Sequence, residues 1–211
     1  MLIFKLIMAL ISGYILGSVN TSIIAGNIFG VDIRKKGSRN AGFTNTLRVL
    51  GPKAASIVLI GDILKGVVAC LLGYLLTAGE LGSDGLFDSA NLNLGLMLAG
   101  TSCIFGHIFP VFFQFKGGKG VLTTAAVIFM IDWRVGAVLL ALFIIIVLIT
   151  RYVSVGSMVS ALCLPIVCLI MEKPLYSLVY TVTIALLIVI MHRANIGRLI
   201  SGTENKLKLR S

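Results

Sequence analysis

Seven apolar runs, separated by short polar segments, follow one another along the chain. They cover roughly residues 3–29, 54–78, 94–113, 119–131, 135–150, 155–171 and 175–191. A membrane-spanning helix needs about 20 predominantly apolar residues, and the first three runs reach that length. The pattern therefore predicts an all-α integral membrane protein.

Two topologies fit the short fourth and fifth runs, which Asp132, Trp133 and Arg134 separate. Two short spans give seven transmembrane helices, whereas a re-entrant hairpin gives five. The hairpin would place Asp132 and Arg134 inside the membrane, where each charge costs at least about 2.5–3.5 kcal/mol. Trp133 also suits a membrane surface, so we expect seven helices.

Basic residues concentrate in four polar segments that both topologies place on the same side of the membrane. Most of the 18 Lys and Arg residues lie there, namely Arg34, Lys35, Lys36, Arg39, Arg48, Lys53, Lys116, Lys119, Arg151, Arg193, Arg198, Lys206, Lys208 and Arg210. The opposite side carries an acidic loop with Glu80, Asp84 and Asp88. Since cytoplasmic loops hold the excess of Lys and Arg, we expect the N-terminus outside and the C-terminus in the cytoplasm.

The composition is typical of a membrane protein, and it limits the classes of molecule that the protein is expected to bind. Of the 211 residues, 58% are hydrophobic and 12% charged, against about 25% charged in soluble domains. No polar stretch is long enough to fold separately, so we expect one membrane domain over residues 1–211. The net charge of +10 lies in short loops, which favours anionic lipid headgroups and anionic substrates over nucleic acid. The four cysteines lack metal-ligand spacing, and we expect neither a metal ion nor a cofactor.

The first polar segment combines glycine turns, small polar residues and an arginine within a short stretch. Its candidate phosphate ligands are Ser38, Asn40, Gly42, Thr44, Asn45 and Arg48. Glycine lets the backbone approach a ligand, hydroxyl and amide groups donate hydrogen bonds, and arginine supplies a bidentate fork. An ordinary solvated basic loop is the alternative interpretation.

The second polar segment ends in the turn Lys116-Gly117-Gly118-Lys119-Gly120, which opens a helix. Its free N–H groups and the Lys119 ammonium suit an anion. It is not a Walker A loop, because residue 120 is Gly rather than Ser or Thr. Alone, this turn does not specify a ligand.

The third and fourth polar segments each place two polar side chains three residues apart. Ser154 and Ser157 share one helix face, as do His192 and Asn195. Taken singly, these residues are also explained by helix capping and membrane anchoring. Together, the four segments predict a cationic pocket for a phosphorylated small molecule beside lipid.

An ionisable pair, Asp62 and Lys65, lies about two turns into the second apolar run. Ionisable residues at that depth are candidates for function. A pair at this spacing also neutralises itself, and we favour this structural interpretation.

At these residues the chain closely resembles the bacterial acyl-phosphate:glycerol-3-phosphate acyltransferases of the PlsY type. The matching motifs run through nearly the whole chain: Gly37-Ser38 with Asn40, Gly42, Thr44-Asn45 and Arg48; Asp62-Ile63-Leu64-Lys65-Gly66; Gly106-His107-Ile108-Phe109-Pro110-Val111; Lys116-Gly117-Gly118-Lys119-Gly120; Arg151-Tyr152-Val153-Ser154; and His192-Arg193 with Asn195. This combination of motifs is highly specific.

The resemblance implies a seven-helix, multi-pass enzyme of the bacterial cytoplasmic membrane, with its active site on the cytoplasmic face. It would transfer an acyl chain from acyl phosphate to the sn-1 hydroxyl of glycerol 3-phosphate, giving lysophosphatidic acid and phosphate in the first step of phospholipid synthesis. We expect a monomer. The family's substrate-contacting and catalytic positions match Ser38, Arg48, Lys119, Ser154, His192 and Asn195.

Two residues of the first loop depart from the family pattern. The family usually has Gly where Arg39 stands and Ala where Phe43 stands. Glycine adopts positive φ without steric cost, whereas arginine does not. If the loop requires positive φ at position 39, Arg39 is strained.

The implied reaction needs no Ser or Cys nucleophile, because acyl phosphate is already an activated anhydride. We assign Arg48 and Lys119 to charge neutralisation and Ser38 and Ser154 to hydrogen bonds with phosphate oxygens. His192 and Asn195 would orient glycerol 3-phosphate. The general base stays open between His192 and the substrate's own phosphate.

The alternative function is a membrane transporter for a phosphorylated solute, which would place charges along a path through the bilayer.

Overall fold

The regular structure is entirely helical in the part of the chain that the computed structural model describes, residues 1–79 and 94–207. The helices are α1 Leu2–Ser18, α2 Thr21–Ile28, α3 Phe43–Leu50, α4 Pro52–Thr77, α5 Leu94–Ile108, α6 Val121–Ile131, α7 Trp133–Thr150, α8 Val153–Ile170, α9 Leu175–Met191 and α10 Arg193–Ile200. Short 3₁₀ helices cover Ile33–Lys35 and Val111–Phe113. The predicted all-α fold is confirmed for these residues.

Several of the described helical segments are long and apolar enough to cross a membrane. Five meet both criteria: Leu2–Ile28, Pro52–Thr77, Leu94–Phe113, Trp133–Thr150 and Val153–Ile170. Helices α9 and α10 form a sixth if their 56° bend belongs to one span, and α6 is apolar but shorter. Each predicted apolar run therefore contains a helix, while the count of seven crossings and the orientation of the termini stay predictions.

The first apolar run is broken where a single helix was predicted. Helix α1 ends at Ser18, and Val19 has extended backbone. Asn20 then begins α2 by accepting a hydrogen bond from the Ile23 N–H at 3.1 Å. An asparagine in this position satisfies one of the unpaired N–H groups of a new helix, so the polar side chain inside the run marks the break.

The chain forms two compact units, Met1–Trp133 and Arg134–Ser211. The single membrane domain over residues 1–211 stays a prediction. The acidic loop with Glu80, Asp84 and Asp88, and the basic residues Lys208 and Arg210, lie outside the described residues.

The first unit packs α1 tightly on α5. A side chain on Gly13 would collide with the backbone of Ala99, and one on Gly17 with the backbone of Cys103. Small residues allow helix backbones to approach closely, which is how helices associate in membranes. Helix α4 packs on both α1 and α5, so these three helices form the frame that supports the polar segments of this unit.

The second unit consists of α7 to α10, in which α8 packs on α9. A side chain on Gly156 of α8 would meet Val147 and Phe143 of α7. This close approach holds the N-terminal end of α8, where the third polar segment lies.

Candidate active site

The first polar segment forms a loop whose start is an ion pair. Asp32 accepts a hydrogen bond from the Arg34 N–H at 3.0 Å, and Arg34 Nε donates to the same carboxylate at 3.1 Å. These hydrogen bonds from Arg34 hold the pKa of Asp32 below its ordinary value. Arg34 is therefore already neutralised at the loop's beginning, ahead of the candidate phosphate ligands.

Asn45 holds the first loop together from inside. Its Nδ2 group donates to the carbonyl oxygens of Ile33 and Lys36, both at 3.0 Å, and its Oδ1 accepts from the Ser38 N–H at 2.8 Å. The side chain is only 1% exposed. Because its amide group is committed to the loop backbone, any contribution of Asn45 to phosphate binding passes through the loop's shape.

The remaining candidates of this segment lie around the N-terminus of α3, except for Arg48 in its last turn. Gly42 precedes the helix without a capping side chain, so the first N–H groups of α3 have no side-chain acceptor there. Helix N-termini of this kind bind anions. Ser38, Asn40 and Thr44 are half-buried, and Arg48 is exposed one turn after Thr44. Hydroxyl, amide and N–H donors are thus grouped at this end of α3, and the Arg48 guanidinium belongs to its last turn.

Arg39 has φ +60° within this loop. An L-residue in the left-handed region brings its Cβ close to the following carbonyl oxygen, at a cost of roughly 1–2 kcal/mol. The condition for strain that was stated from the sequence is therefore met.

Arg39→Gly is expected to raise the free energy of unfolding by about 0.5–1 kcal/mol. Glycine removes the left-handed strain, and its greater freedom in the unfolded chain returns part of that gain. Thermal unfolding in detergent measures the change. The control is Arg39→Ala, which removes the charge but keeps the Cβ; an equal gain in both variants would show that charge, rather than backbone strain, is responsible.

The second polar segment is a turn bound to the end of α5. The Gly117 N–H donates to the Ile108 carbonyl and the Gly118 N–H to the His107 carbonyl, each at 3.1 Å. Gly120, with φ +79°, then leads into α6. Lys119, half-buried, lies in this turn directly before the helix.

Gly118 is where this turn meets the first loop. A Cβ at Gly118 would collide with the Nε2 atom of His107 and with the carbonyl oxygen of Ala41. Ala41 directly precedes Gly42, the residue that begins α3. The structure therefore brings together the two segments of the first unit that were predicted to bind anions, the N-terminus of α3 and the Lys119 turn.

The intramembrane pair is confirmed as an ion pair and has a third member. Lys65 Nζ lies 2.8 Å from Asp62 Oδ1 and 2.8 Å from His107 Nδ1. All three side chains are buried. No role for His107 was predicted from the sequence. The residue does stand in one of the motifs that also include Asp62 and Lys65, and this could have indicated it.

In the second unit, Glu204 gathers the polar side chains of two predicted segments. Its Oε1 accepts from Ser154 Oγ at 2.8 Å and from Asn195 Nδ2 at 2.6 Å, while its Oε2 accepts from Arg198 Nε at 2.6 Å. Glu204 was not among the site residues predicted from the sequence. It is the one acidic residue in the basic segment 192–211, and that contrast was the signal.

Glu204→Gln is expected to lower the unfolding temperature at neutral pH. Burial alone would raise the pKa of Glu204, but the hydrogen bonds from Asn195, Arg198 and Ser154 outweigh it and hold this pKa below its ordinary value of 4.5. A carboxyl whose pKa is lowered by folding stabilises the protein above that ordinary value, and the stabilisation is lost as pH falls through the folded pKa.

Thermal unfolding from pH 7 to pH 3 measures this contribution. The wild type should lose more stability below pH 4.5 than Glu204→Gln does. Exposed Glu172 provides the matched control, because Glu172→Gln should follow the wild-type curve. Identical pH curves for the wild type and Glu204→Gln would rule out the contribution.

His192 and Ser157 are both buried and bound to their own helices. His192 Nδ1 lies 2.8 Å from the Ile188 carbonyl oxygen. Since a carbonyl only accepts, Nδ1 carries the proton and Nε2 holds the lone pair of the neutral ring. Ser157 Oγ donates to the Val153 carbonyl at 2.9 Å. His192 Nδ1 is therefore bound to its own helix, and Ser157 is anchored within α8.

Comparison with known proteins identifies the family. The sequence model described as "Glycerol-3-phosphate acyltransferase" matches residues 7–202. The chain belongs to the glycerol-3-phosphate acyltransferase family. A family member from Shouchella clausii (strain KSM-K16) is 43% identical over 211 residues, covering 98% of each chain. Another from Clostridioides difficile (strain 630) is 41% identical, covering 97% of each chain.

A solved structure of the same family has the same fold. The crystal structure of PlsY, an integral membrane glycerol 3-phosphate acyltransferase in its glycerol 3-phosphate form, is 32% identical, covers 96% of each chain and superposes with a TM-score of 0.84. A lysophosphatidic acid form of PlsY matches with a TM-score of 0.81. The resemblance drawn from the motifs is thereby confirmed, as is the class of integral membrane protein.

Proposed function

We propose that this protein transfers an acyl chain from acyl phosphate to the sn-1 hydroxyl of glycerol 3-phosphate, giving lysophosphatidic acid and inorganic phosphate. The observation that carries the proposal is the meeting of two anion-binding segments at Gly118 in a chain of this family. Family membership also favours an enzyme over the alternative, a transporter for a phosphorylated solute.

The reaction requires positioning and charge neutralisation more than covalent chemistry. The glycerol oxygen forms a bond to the acyl carbon, and the bond from that carbon to the phosphate oxygen breaks. The leaving phosphate takes the electron pair, and the hydroxyl proton goes to His192 or to the substrate's own phosphate. Two phosphate groups are present at this step, and cationic donors that are oriented before reaction stabilise their charge without reorganisation.

We assign charge neutralisation to Lys119 and Arg48. Lys119 stands in a turn at a helix N-terminus, and Arg48 follows Thr44 by one turn on α3. Around the N-terminus of α3, phosphate oxygens would be bound by Ser38, Asn40, Thr44 and the N–H groups after Gly42. In the second unit, Ser154 and Asn195 are the assigned substrate contacts, and Ser157 and Glu204 support them.

The proposed setting of this chemistry is the bacterial cytoplasmic membrane. Seven crossings would place all four basic segments on the cytoplasmic side, with the N-terminus outside, as the distribution of Lys and Arg requires. The active site would then receive glycerol 3-phosphate from the cytoplasm and the acyl chain from the bilayer. We propose that the enzyme acts as a monomer.

Acyl transfer by the purified protein in detergent tests this function. Palmitoyl phosphate and radiolabelled glycerol 3-phosphate should give labelled lysophosphatidic acid and one equivalent of phosphate. Detergent micelles have no separate compartments, so a transporter would give no product. Absence of product with palmitoyl phosphate, when PlsY of known activity reacts under the same conditions, would refute the proposal.

The kinetics of His192→Ala are expected to show whether His192 is the general base or only binds the substrate. If Nε2 takes the hydroxyl proton, kcat falls by about 100-fold or more, within the range of general-base catalysis. If the substrate phosphate takes the proton, the change is confined to the KM for glycerol 3-phosphate. Steady-state kinetics over a range of glycerol 3-phosphate concentrations measures both quantities, and His192→Gln, which keeps a hydrogen-bonding group, is the control.

A further inference from the structure

A buried polar cluster lies inside the first unit. Asp62, Lys65 and His107 are 1%, 7% and 3% exposed. The Lys65 ammonium donates to Asp62 Oδ1 at 2.8 Å and to the Val19 carbonyl at 3.2 Å. Thr21 Oγ1 donates to the same Asp62 oxygen at 2.7 Å. The cluster thus links the break between α1 and α2 to helices α4 and α5.

The third contact of Lys65 determines the orientation of His107. His107 Nδ1 lies 2.8 Å from Lys65 Nζ and 3.5 Å from Asp62 Oδ1, so this edge of the ring faces the ion pair. The opposite edge of the ring carries Nε2. That edge of the ring occupies the space a Gly118 side chain would need, beside the Ala41 carbonyl. The cluster therefore ends against both anion-binding segments.

Packing alone does not account for this cluster. Removing two charges from water costs several kcal/mol for each ion, and apolar residues of similar size often stabilise a fold as well or better. An apolar pair, however, would not hold one edge of the His107 ring toward Gly118. The specific consequence of the ion pair is that the His107 ring has a single orientation where it contacts Gly118 of the Lys119 turn.

We propose that Asp62, Lys65 and His107 form a positioning network that sets the Lys119 turn relative to the N-terminus of α3. This rests on the proposed function and deepens it: the network touches no substrate and acts through Lys119. Misplacing a catalytic group by about 1 Å lowers rates by about 100-fold. Replacing the ion pair should therefore reduce catalysis while the helices remain folded.

The main test replaces both charges together, in Asp62→Leu/Lys65→Met, so that no single charge is left buried. We expect kcat/KM for acyl transfer to fall by about 100-fold. Cys70→Ala is the matched control, because Cys70 is buried on the same helix without belonging to the network, and it should keep the wild-type rate. A rate for the double variant equal to that of Cys70→Ala overturns the proposal.

A second variant keeps the test valid if the double variant does not fold. Thr21→Val removes one hydrogen bond to Asp62 and preserves the side chain's shape. It should lower kcat/KM several-fold and leave the unfolding temperature near that of Cys70→Ala. An unchanged rate with a lowered unfolding temperature would show a purely structural role and overturn the proposal.

Combining each network variant with Lys119→Ala distinguishes an effect on the position of Lys119 from a general loss of structure. Because the network acts through Lys119, adding the pair replacement or Thr21→Val to Lys119→Ala should reduce the residual rate by less than about threefold. If the effects multiply in full, the network does not act through Lys119 and the proposal fails.

Inorganic phosphate provides a readout that does not depend on turnover. Phosphate should raise the unfolding temperature of the wild type and of Cys70→Ala, since a ligand of the folded state stabilises it. The pair variant should lose this rise, and retention of the full rise would overturn the proposal. If the wild type transfers no acyl group, the proposed function fails by itself, while this measurement still tests the network.

Discussion

Lys119→Ala is expected to lower kcat/KM for acyl transfer by at least about 100-fold. Lys119 stands directly before Gly120, which begins α6 without a side-chain cap, and the first N–H groups of a helix favour an anion. Removing one oriented group that stabilises developing charge typically lowers rates about 100- to 1,000-fold. Steady-state kinetics with palmitoyl phosphate and glycerol 3-phosphate measures the loss.

Lys116→Ala is the matched control for this result. Lys116 lies in the same turn and is exposed, so it contributes to the local positive potential without the position that Lys119 has before α6. Its loss should change kcat/KM by no more than about threefold, because exposed charges are screened by salt. Arg48→Ala should resemble Lys119→Ala. Wild-type rates in both Lys119→Ala and Arg48→Ala would refute the site assignment.

Gly118→Ala is expected to have the second large effect, on both activity and stability. The new Cβ would collide with His107 Nε2 and with the Ala41 backbone. Neither neighbour yields easily, because His107 is bound to Lys65 and Ala41 is buried. Overpacking of this kind costs about 1–3 kcal/mol, and the accompanying shift of the turn should reduce kcat/KM by about 100-fold.

Unfolding temperature and kinetics of the same preparation measure both effects of Gly118→Ala. Gly197→Ala is the control, since a side chain at Gly197 meets nothing within 4 Å. It should keep wild-type activity and raise the stability slightly, because alanine stabilises a helix by about 0.5–1 kcal/mol relative to glycine. If Gly118→Ala behaves like Gly197→Ala, the two anion-binding segments do not depend on contact at Gly118.

The helices could be predicted because their signal is local. A run of apolar residues becomes a helix in lipid whatever surrounds it, since its backbone groups must bond internally. The predicted runs at 54–78 and 155–171 accordingly match α4 and α8 closely. The run at 3–29 was predicted less well, because a single Asn20 side chain was enough to start a new helix.

The types of residue in the site could also be predicted, but their individual roles could not. Small polar residues next to Gly and Arg indicate an anion site by composition. That composition cannot show that the Asn45 amide group is hydrogen-bonded to the loop backbone. A hydrogen-bond partner is a matter of direction and distance, which depend on how the loop folds over α3.

The sequence by itself determined the membrane class, the positions of the apolar helices, the polar segments and, through its motifs, the family. Each of these rests on neighbouring residues or on motif order. Only the tertiary structure decided that Ala41 and Gly118 meet, that His107 joins Asp62 and Lys65, and that Glu204 binds Ser154 and Asn195. These contacts join residues that are far apart along the chain, and close packing of the helices selects them.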